Sequence, residues 1–322
     1  MAVYTRLNQQ DITSVLTHYN LGKLVSYQGI DGGVENTNYF LDIDAEGCSS
    51  RYVLTLFEYL PENSLPFFID YTDELKAAGI PVPAAVRDQQ GNALHQLKGK
   101  PALIVPCLPG KPPSSLTLHH IHQVGGMLGK IHKTGMGSSL KQKNQRGLNW
   151  LDQQQKRLFP LLPEEDALFM QGQWQAIRQA LSALLPLPEG LVHGDLFHDN
   201  TLFADDTLTG VIDFYQACYD LLVYDIAVTA NDWCLCNDGL MLDTEKTTVL
   251  LDSYTAVRPL TAEEQKAWPL MLRLAAFRFW ISRIITFVHP EAPVDEAHNS
   301  AMKRGYLDPN TFKEMLKVRS QG

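Results

Sequence analysis

The sequence predicts an α+β protein of two lobes: a small antiparallel-sheet lobe over residues 1–106 and a larger, mainly helical lobe over 107–322. Three observations predict it. Strand-like segments joined by short turns occupy the early part of the chain. An apolar strand then breaks into Lys100-Pro-Ala-Leu-Ile-Val-Pro-Cys-Leu-Pro-Gly110, whose prolines read as a hinge near Pro106 to Gly110. Beyond it, apolar residues recur at helical spacing, interrupted by one hairpin-like block at 191–213.

Taken in order, Asp11 is expected to cap a first helix, with Ile12, Val15, Leu16 and Tyr19 on one face and Gly22 as its stop. Lys23 to Ile30 reads as a strand. A loop with Gly32 and Gly33 follows, then strands at about Asn38 to Ile43 and Arg51 to Glu58, joined by a Glu46-Gly47 turn. Such a strand, glycine loop and strand can cover phosphates with backbone amides, and it can equally be a plain hairpin. Leu65 to Gly79 reads as a helix ended by Gly79, Pro81 and Pro83, its acids Asp70, Asp73 and Glu74 forming a solvated face. Gln96 to Leu108 holds two strand-like pieces. The hinge that follows offers an adenine ring backbone donors and acceptors, and a plain linker would look the same.

In the second lobe, Leu118, Ile121, Val124, Leu128 and Ile131 mark a helix in which Gly125, Gly126 and Gly129 permit close packing. His119, His120 and His122 lack metal-ligand spacing and read as surface or packing residues. Helices are expected at Trp150 to Phe159, Ala167 to Leu185, Thr244 to Ala256 and Thr261 to Val288, with a short one after Asp308-Pro309.

Composition sets limits. The 322 residues are 45% hydrophobic, enough for one large or two moderate cores, and a net charge of -9 excludes broad nucleic-acid or anionic-membrane binding. Five scattered cysteines fit reduced thiols in a cytoplasmic protein better than a disulfide framework or a zinc site. The start, Met-Ala-Val-Tyr-Thr-Arg, has no secretory segment. The most apolar stretch, 272–288, carries Arg273, Arg278 and Arg283, which excludes an ordinary membrane span. Oligomeric state is not legible.

The block at 191–213 carries the chemistry. Leu191-Val192 reads as a strand into a loop, Thr201-Leu202-Phe203 as a strand out of it, Asp205-Asp206 as a turn, and Thr209 to Ile212 as the strand delivering Asp213. His193, Asp195 and Asn200 follow the spacing His-x-Asp-x-x-x-x-Asn. A phosphoryl group in transfer needs its charge neutralised and its nucleophile held in line. Kinase catalytic loops use such a set, and the likeness implies Asp195 as acceptor of a hydroxyl proton and Asn200 and Asp213 as sharing hard cations such as Mg2+. Any one of these residues alone would read as a turn or a cap; the specificity lies in the combination.

This block resembles the kinase-like superfamily of small-molecule phosphotransferases, which includes aminoglycoside and choline kinases, and the resemblance implies a two-lobed protein-kinase-like fold using ATP. Gly194 stands where protein kinases carry the Arg that reads a phosphorylated activation loop, which suggests a constitutive metabolic kinase. Asp225, in Tyr219-Asp220-Leu-Leu-Val-Tyr-Asp225-Ile-Ala, is implied to buttress the loop through its backbone. The resemblance further implies nucleotide contacts at Gly32, Gly33, Asn36, Val53, Pro106 and Leu108. One departure stands out: Thr55 occupies the place of the phosphate-pairing Lys, and Arg51, roughly 13 Å away along the strand, is no substitute.

The chain is similar, over essentially its whole length, to the homoserine kinases of that fold, through Asn36-Thr-Asn-Tyr-Phe40, Tyr52-Val-Leu-Thr-Leu-Phe-Glu58, the 100–110 connector, His193 to Asn200, Asn231-Asp-Trp233 and Phe277-Arg-Phe-Trp-Ile-Ser-Arg283. The Thr55 departure is shared with that family. The implied substrate is L-homoserine, phosphorylated at its hydroxyl toward threonine. Its ammonium calls for an acid, for which Asp232 is a candidate. Its carboxylate calls for an Arg fork, for which Arg278 and Arg283 are candidates, although such arginines also satisfy helix ends or buried acids. Trp233 and Trp280 wall the pocket or fill the core. Two other readings remain: a kinase of another amino alcohol, such as choline, ethanolamine or a hydroxylated amino acid, and a nucleotide-binding pseudokinase, which only the missing Lys supports.

Overall fold

The computed structural model describes residues 4–30, 36–288 and 308–321. The chain divides into two compact units between Pro109 and Gly110. Sequence reading places the boundary at Pro106. The later division has a local cause: Cys107 N–H still donates to Arg51 C=O on the sheet, whereas Lys111 pairs with Phe203 of the second unit.

The first unit is an antiparallel sheet with order β1-β2-β3-β5-β4, made of β1 (Lys23–Gly29), β2 (Asn36–Ala45), β3 (Cys48–Phe57), β4 (His95–Leu97) and β5 (Lys100–Pro106). β2 and β3 are joined by Glu46 (φ 54°) and Gly47 (φ 88°). Two consecutive positive φ values define the hairpin turn that matches strand twist. Helix α1 (Gln9–Leu16) covers one face, burying Ile12, Val15 and Leu16 against Tyr39, Leu41, Leu54 and Leu56. Its cap is Asn8 rather than Asp11: Asn8 Oδ1 accepts from Asp11 N–H, and Asp11 returns the bond to Asn8 N–H. The helix ends at Leu16, six residues before Gly22. Helix α2 (Leu65–Ala77) carries the three acids, of which Asp73 pairs with Arg87.

The second unit holds α3 (Leu118–Gly137), α4 (Leu148–Leu158), α5 (Glu164–Ser182), α6 (Leu222–Trp233), α7 (Thr244–Thr255), α8 (Ala262–Val288) and α9 (Pro309–Arg319). Between α5 and α6 lie four short strands, β6 (Glu189–Val192), β7 (Thr201–Ala204), β8 (Thr207–Val211) and β9 (Cys218–Leu221), paired β6 with β9 and β7 with β8. Strand β9 is not foreseen from the sequence. Four residues before a helix carry little periodicity, and only pairing with β6 makes them a strand.

Helix α6 is the axis of this unit. All its residues but Asp232 are buried, as expected of a helix apolar on every side. Helix α3 meets α7 closely because Gly125 and Gly129, four apart, leave room for its backbone: a Cβ at Gly125 would lie 2.6 Å from Leu250 O. Gly126 points elsewhere, its nearest neighbour 3.9 Å away. Trp233 and Trp280 are fully buried, so both belong to the core. No helix of the described residues is long and apolar enough to cross a membrane.

Candidate active site

The loop between β6 and β7 is pinned along its length. His193 is buried, and its ring geometry sets its tautomer: Nδ1 accepts from Asp195 N–H at 3.3 Å, so Nε2 carries the proton it donates to Ile212 C=O at 3.0 Å. Burial, opposed by the Asp225 charge, holds its pKa below the ordinary histidine value and keeps the ring neutral. Gly194 has φ +79°, and a Cβ there would lie 2.7 Å from Gln216 O. No side chain fits, so the missing arginine has a steric cause as well as a regulatory reading.

Asp225 accepts from His193 N–H and Gly194 N–H, both at 2.8 Å, and from His132 Nε2 at 3.0 Å. Burial pushes its pKa up, but these donors and the His132 charge outweigh burial and leave it below the usual carboxylate range. The buttressing role implied for Asp225 is thus realised with two backbone amides. Behind it, His132 bonds Tyr254 Oη at 2.8 Å, Arg258 donates to the same oxygen at 2.9 Å, and Glu264 pairs Arg258 at 2.8 Å. Further along, Trp233 Nε1 donates to Leu196 C=O at 3.2 Å, and Asp232 accepts from His198 N–H at 2.6 Å and its Nδ1 at 2.9 Å. Asn200 Nδ2 donates to Asp195 C=O at 2.8 Å.

This bracing presents Asp195 as a partly exposed carboxyl. Burial raises its pKa to about 7, against the pull of Arg278, Arg283 and Arg146 and with a push from Asp199. A proton acceptor poised near neutrality is what general-base chemistry on an alcohol requires. The three arginines act electrostatically on one carboxylate although Arg146 stands far from the other two in sequence. Arg278 and Arg283 come from α8, as expected. Arg146, between α3 and α4, was missed, because a lone Arg in a polar loop carries no pattern. Arg278 is buried, rests 4.1 Å from the Phe279 ring centre and reaches Gln216 Oε1 only at 3.5 Å. Among the described residues it makes no ion pair.

Asp213 follows β8 with φ 63° and ψ 58°, a left-handed conformation that few non-glycine residues adopt. Ile212 N–H donates to Asn200 C=O at 3.0 Å, which ties the Asp213 strand to the loop. The donor set suits a hard divalent ion. The Asn200 amide nitrogen is committed to Asp195 C=O, which leaves its oxygen available to a cation, and Asp213 offers a carboxylate. Among the described residues there is no cluster of three or more His, Cys, Asp or Glu spaced for a metal.

Asp232, the acid expected at the substrate ammonium, has both oxygens engaged by His198. The neighbouring acid Asp199 reaches solvent while its carboxyl is partly desolvated; that desolvation first, then the Asp232 charge, raises its pKa. It sits one residue before a metal-ligand candidate and was not singled out from the sequence.

On the sheet unit, Gly32 and Gly33 lie outside the described residues. Asn36 opens β2 and is buried, and its Oδ1 meets no donor among the described residues. Val53 stands between Phe40 and Val105 in one cross-strand row, Pro106 ends β5 opposite Tyr52, and half-buried Leu108 follows two residues later. Thr55 is buried and donates to Asn38 Oδ1 at 2.7 Å. Arg51 is bidentate to Asp42.

The Phosphotransferase enzyme family model matches residues 26–260. The chain is 40% identical over 321 residues to the homoserine kinase of Polaromonas naphthalenivorans, covering 99% of this chain and 98% of that one. It is 42% identical over 286 residues to the homoserine kinase of Pseudomonas aeruginosa strain LESB58, covering 88% and 89%. Among solved structures, an amicoumacin kinase in complex with AMP-PNP, Ca2+ and Ami aligns with TM-score 0.72 at 16% identity, covering 97% of this chain and 94% of that one. A choline kinase from Cryptosporidium parvum aligns with TM-score 0.65 at 12% identity, covering 98% and 97%. The structural likenesses establish the kinase-like fold. The near full-length sequence identity goes further: the chain belongs to the phosphotransferase enzyme family and, within it, to the homoserine kinases.

Proposed function

We propose that this chain transfers the γ-phosphoryl group of ATP to the hydroxyl of L-homoserine, with Mg2+ as the divalent ion. Asp195 accepts the hydroxyl proton and holds the oxygen in line. Asn200 and Asp213 hold the metal, which neutralises charge on the phosphate oxygens when bound. Val53, Pro106 and Leu108 line the adenine, Gly32, Gly33 and Asn36 face the phosphates, and Arg278 and Arg283 take the substrate carboxylate. Asp232 and its neighbour Asp199 supply the negative charge that meets the ammonium.

The observation that carries this reading is Arg278: a buried guanidinium beside Asp195 that pairs with no carboxylate among the described residues. A buried charge is costly unless paired, so a site that keeps one open is built for an anionic partner. Choline has no carboxylate and would leave it unmet, which favours an amino acid over a simple amino alcohol.

An ADP-release assay with magnesium tests the reading. Homoserine should be phosphorylated well. 3-Aminopropan-1-ol keeps the ammonium and hydroxyl but lacks the carboxylate, and should be poor by about a hundredfold or more in kcat/KM, as expected for a lost bidentate charged pair. Arg278→Gln should raise KM for homoserine and leave the amine alcohol unaffected. Equal use of the two alcohols by the native enzyme would exclude Arg278 as the carboxylate partner. Asp213→Ala should abolish the magnesium-dependent part of thermal stabilisation by ATP in a protein that still folds; full retention would count against the metal assignment.

A further inference from the structure

The β3 position where related kinases carry a phosphate-pairing lysine holds Thr55, and two cations of the neighbouring strands, Arg51 and Lys100, are already paired. Arg51 is spent on Asp42. Lys100 pairs with Glu58, which also accepts from Thr37 at 2.6 Å and Thr5 at 2.8 Å. Alternation along the strands puts Thr37 and Glu58 on the face covered by α1, opposite to Thr55.

The Thr55 face has its own order. Phe40, Val53 and Val105 form an apolar cross-strand row of half-buried side chains. Two residues along, roughly 7 Å at the rise of a strand, Asn38 and Thr55 form a directly opposed pair. Two residues beyond Asn38 comes Asn36, with its buried, unpartnered Oδ1. A threonine hydroxyl has one proton, and Thr55 gives it to Asn38 Oδ1 at 2.7 Å. That bond fixes which end of the Asn38 amide turns inward. The NH2 end keeps its two donors, and among the described residues no acceptor takes them.

We propose that Asn38, oriented by Thr55, is the neutral hydrogen-bond donor that holds a nucleotide phosphate where other kinases use a lysine. The apolar row takes the base, and the amide takes phosphate oxygens one step further along. This rests on the reading of the chain as an ATP-dependent kinase. A neutral donor leaves the phosphate charge to the metal, so nucleotide affinity in this protein depends more steeply on the divalent ion than a lysine site would.

Calorimetry with magnesium–ATP, and with adenosine by competition, tests it. Asn38→Asp keeps the oxygen that Thr55 bonds but replaces the donor by a second oxygen; it should weaken ATP by about tenfold or more, the scale of a lost hydrogen bond to a charged group, and leave adenosine unchanged. Thr55→Val, of nearly equal volume, should give a smaller loss of the same kind. Thermal melts without nucleotide report whether each variant is folded, and Asn38→Ser provides a second donor-poor variant. Unchanged ATP affinity in folded Asn38→Asp, or parallel loss of ATP and adenosine, overturns the assignment. Absence of ATP binding in the native protein overturns the nucleotide reading itself, and this inference with it.

Discussion

Gly194 and Asp213 both occupy the left-handed region on either side of Asp195 in the chain, at φ 79° and 63°. At Gly194 the conformation brings the backbone against Gln216 O, so Gly194→Ala should cost at least about 2 kcal/mol, combining left-handed strain with the clash. Chemical denaturation would measure it, and a change within about 0.5 kcal/mol, the size of a neutral surface substitution, would contradict the packing account. Asp195 links function to a stability cost. Its folded pKa, about 7, lies above the unfolded carboxyl value of about 3.9, so its contribution is fully present below the unfolded value and is lost as pH rises through 7. At pH 8 the native state holds an ionised carboxylate that burial disfavours. Asp195→Asn should therefore raise Tm in metal-free buffer at pH 8 by about 2–4 °C, equivalent to about 1 kcal/mol. The same change should lower turnover about a hundred- to ten-thousandfold, the usual reach of general-base catalysis, while homoserine and nucleotide still bind. Near-native turnover would remove Asp195 from the base role.

At the scale of elements, a buried polar chain joins four helices to the loop: α8 through Glu264, α7 through Tyr254, α3 through His132, α6 through Asp225. Low-dielectric surroundings make such a chain strong when complete and costly when broken. His132→Leu removes a donor from the Asp225 carboxylate and leaves the Tyr254 hydroxyl with Arg258 as its remaining partner. The expected loss is about 3 kcal/mol, with a fall in kcat that Asp195→Asn would not compound fully, since both act on one loop. A double-mutant cycle on turnover and stability would read this coupling. Strict additivity would mean that the chain does not position Asp195. Helix α6 tolerates little else, because it is buried on every side and its C-terminal end also supplies Trp233 and Asp232 to the loop.

For the whole molecule, the titrating groups that brace the loop set the acid limit. His193 has a folded pKa below its unfolded value of about 6.5, so its contribution is complete above that pH and is lost as pH falls below it. Asp225, also depressed, adds a second loss as pH falls below the ordinary carboxyl range. His193 therefore draws stability down as pH falls below about 6.5, against the gain from Asp195 over the same range, so its share is the difference from a variant that does not titrate. His193→Gln keeps a donor toward Ile212 C=O without titrating, and should flatten that part of the pH profile even if it lowers overall stability. An unchanged slope between pH 7 and 5 in folded His193→Gln would show that other groups govern it.

Periodicity, turn chemistry and the His-x-Asp-x-x-x-x-Asn spacing were sufficient to read the α+β architecture, the hairpins at Glu46-Gly47 and Asp205-Asp206, the loop carrying Asp195 and Asn200, and the strand leading to Asp213. These features are local: each is encoded by residues within about one element of one another. The tertiary structure decided what depends on distant partners. It drew β9 out of a patternless tetrapeptide by pairing it with β6, brought Arg146 with Arg278 and Arg283 within electrostatic reach of Asp195, engaged Asp232 with His198, and bonded Asn38 to Thr55 seventeen residues away. It also made Gly194 obligatory through the Gln216 carbonyl. Side-chain identity tells which bonds a residue is able to make; only packing selects the one it makes, because a buried polar group must be satisfied by whatever the fold brings within reach.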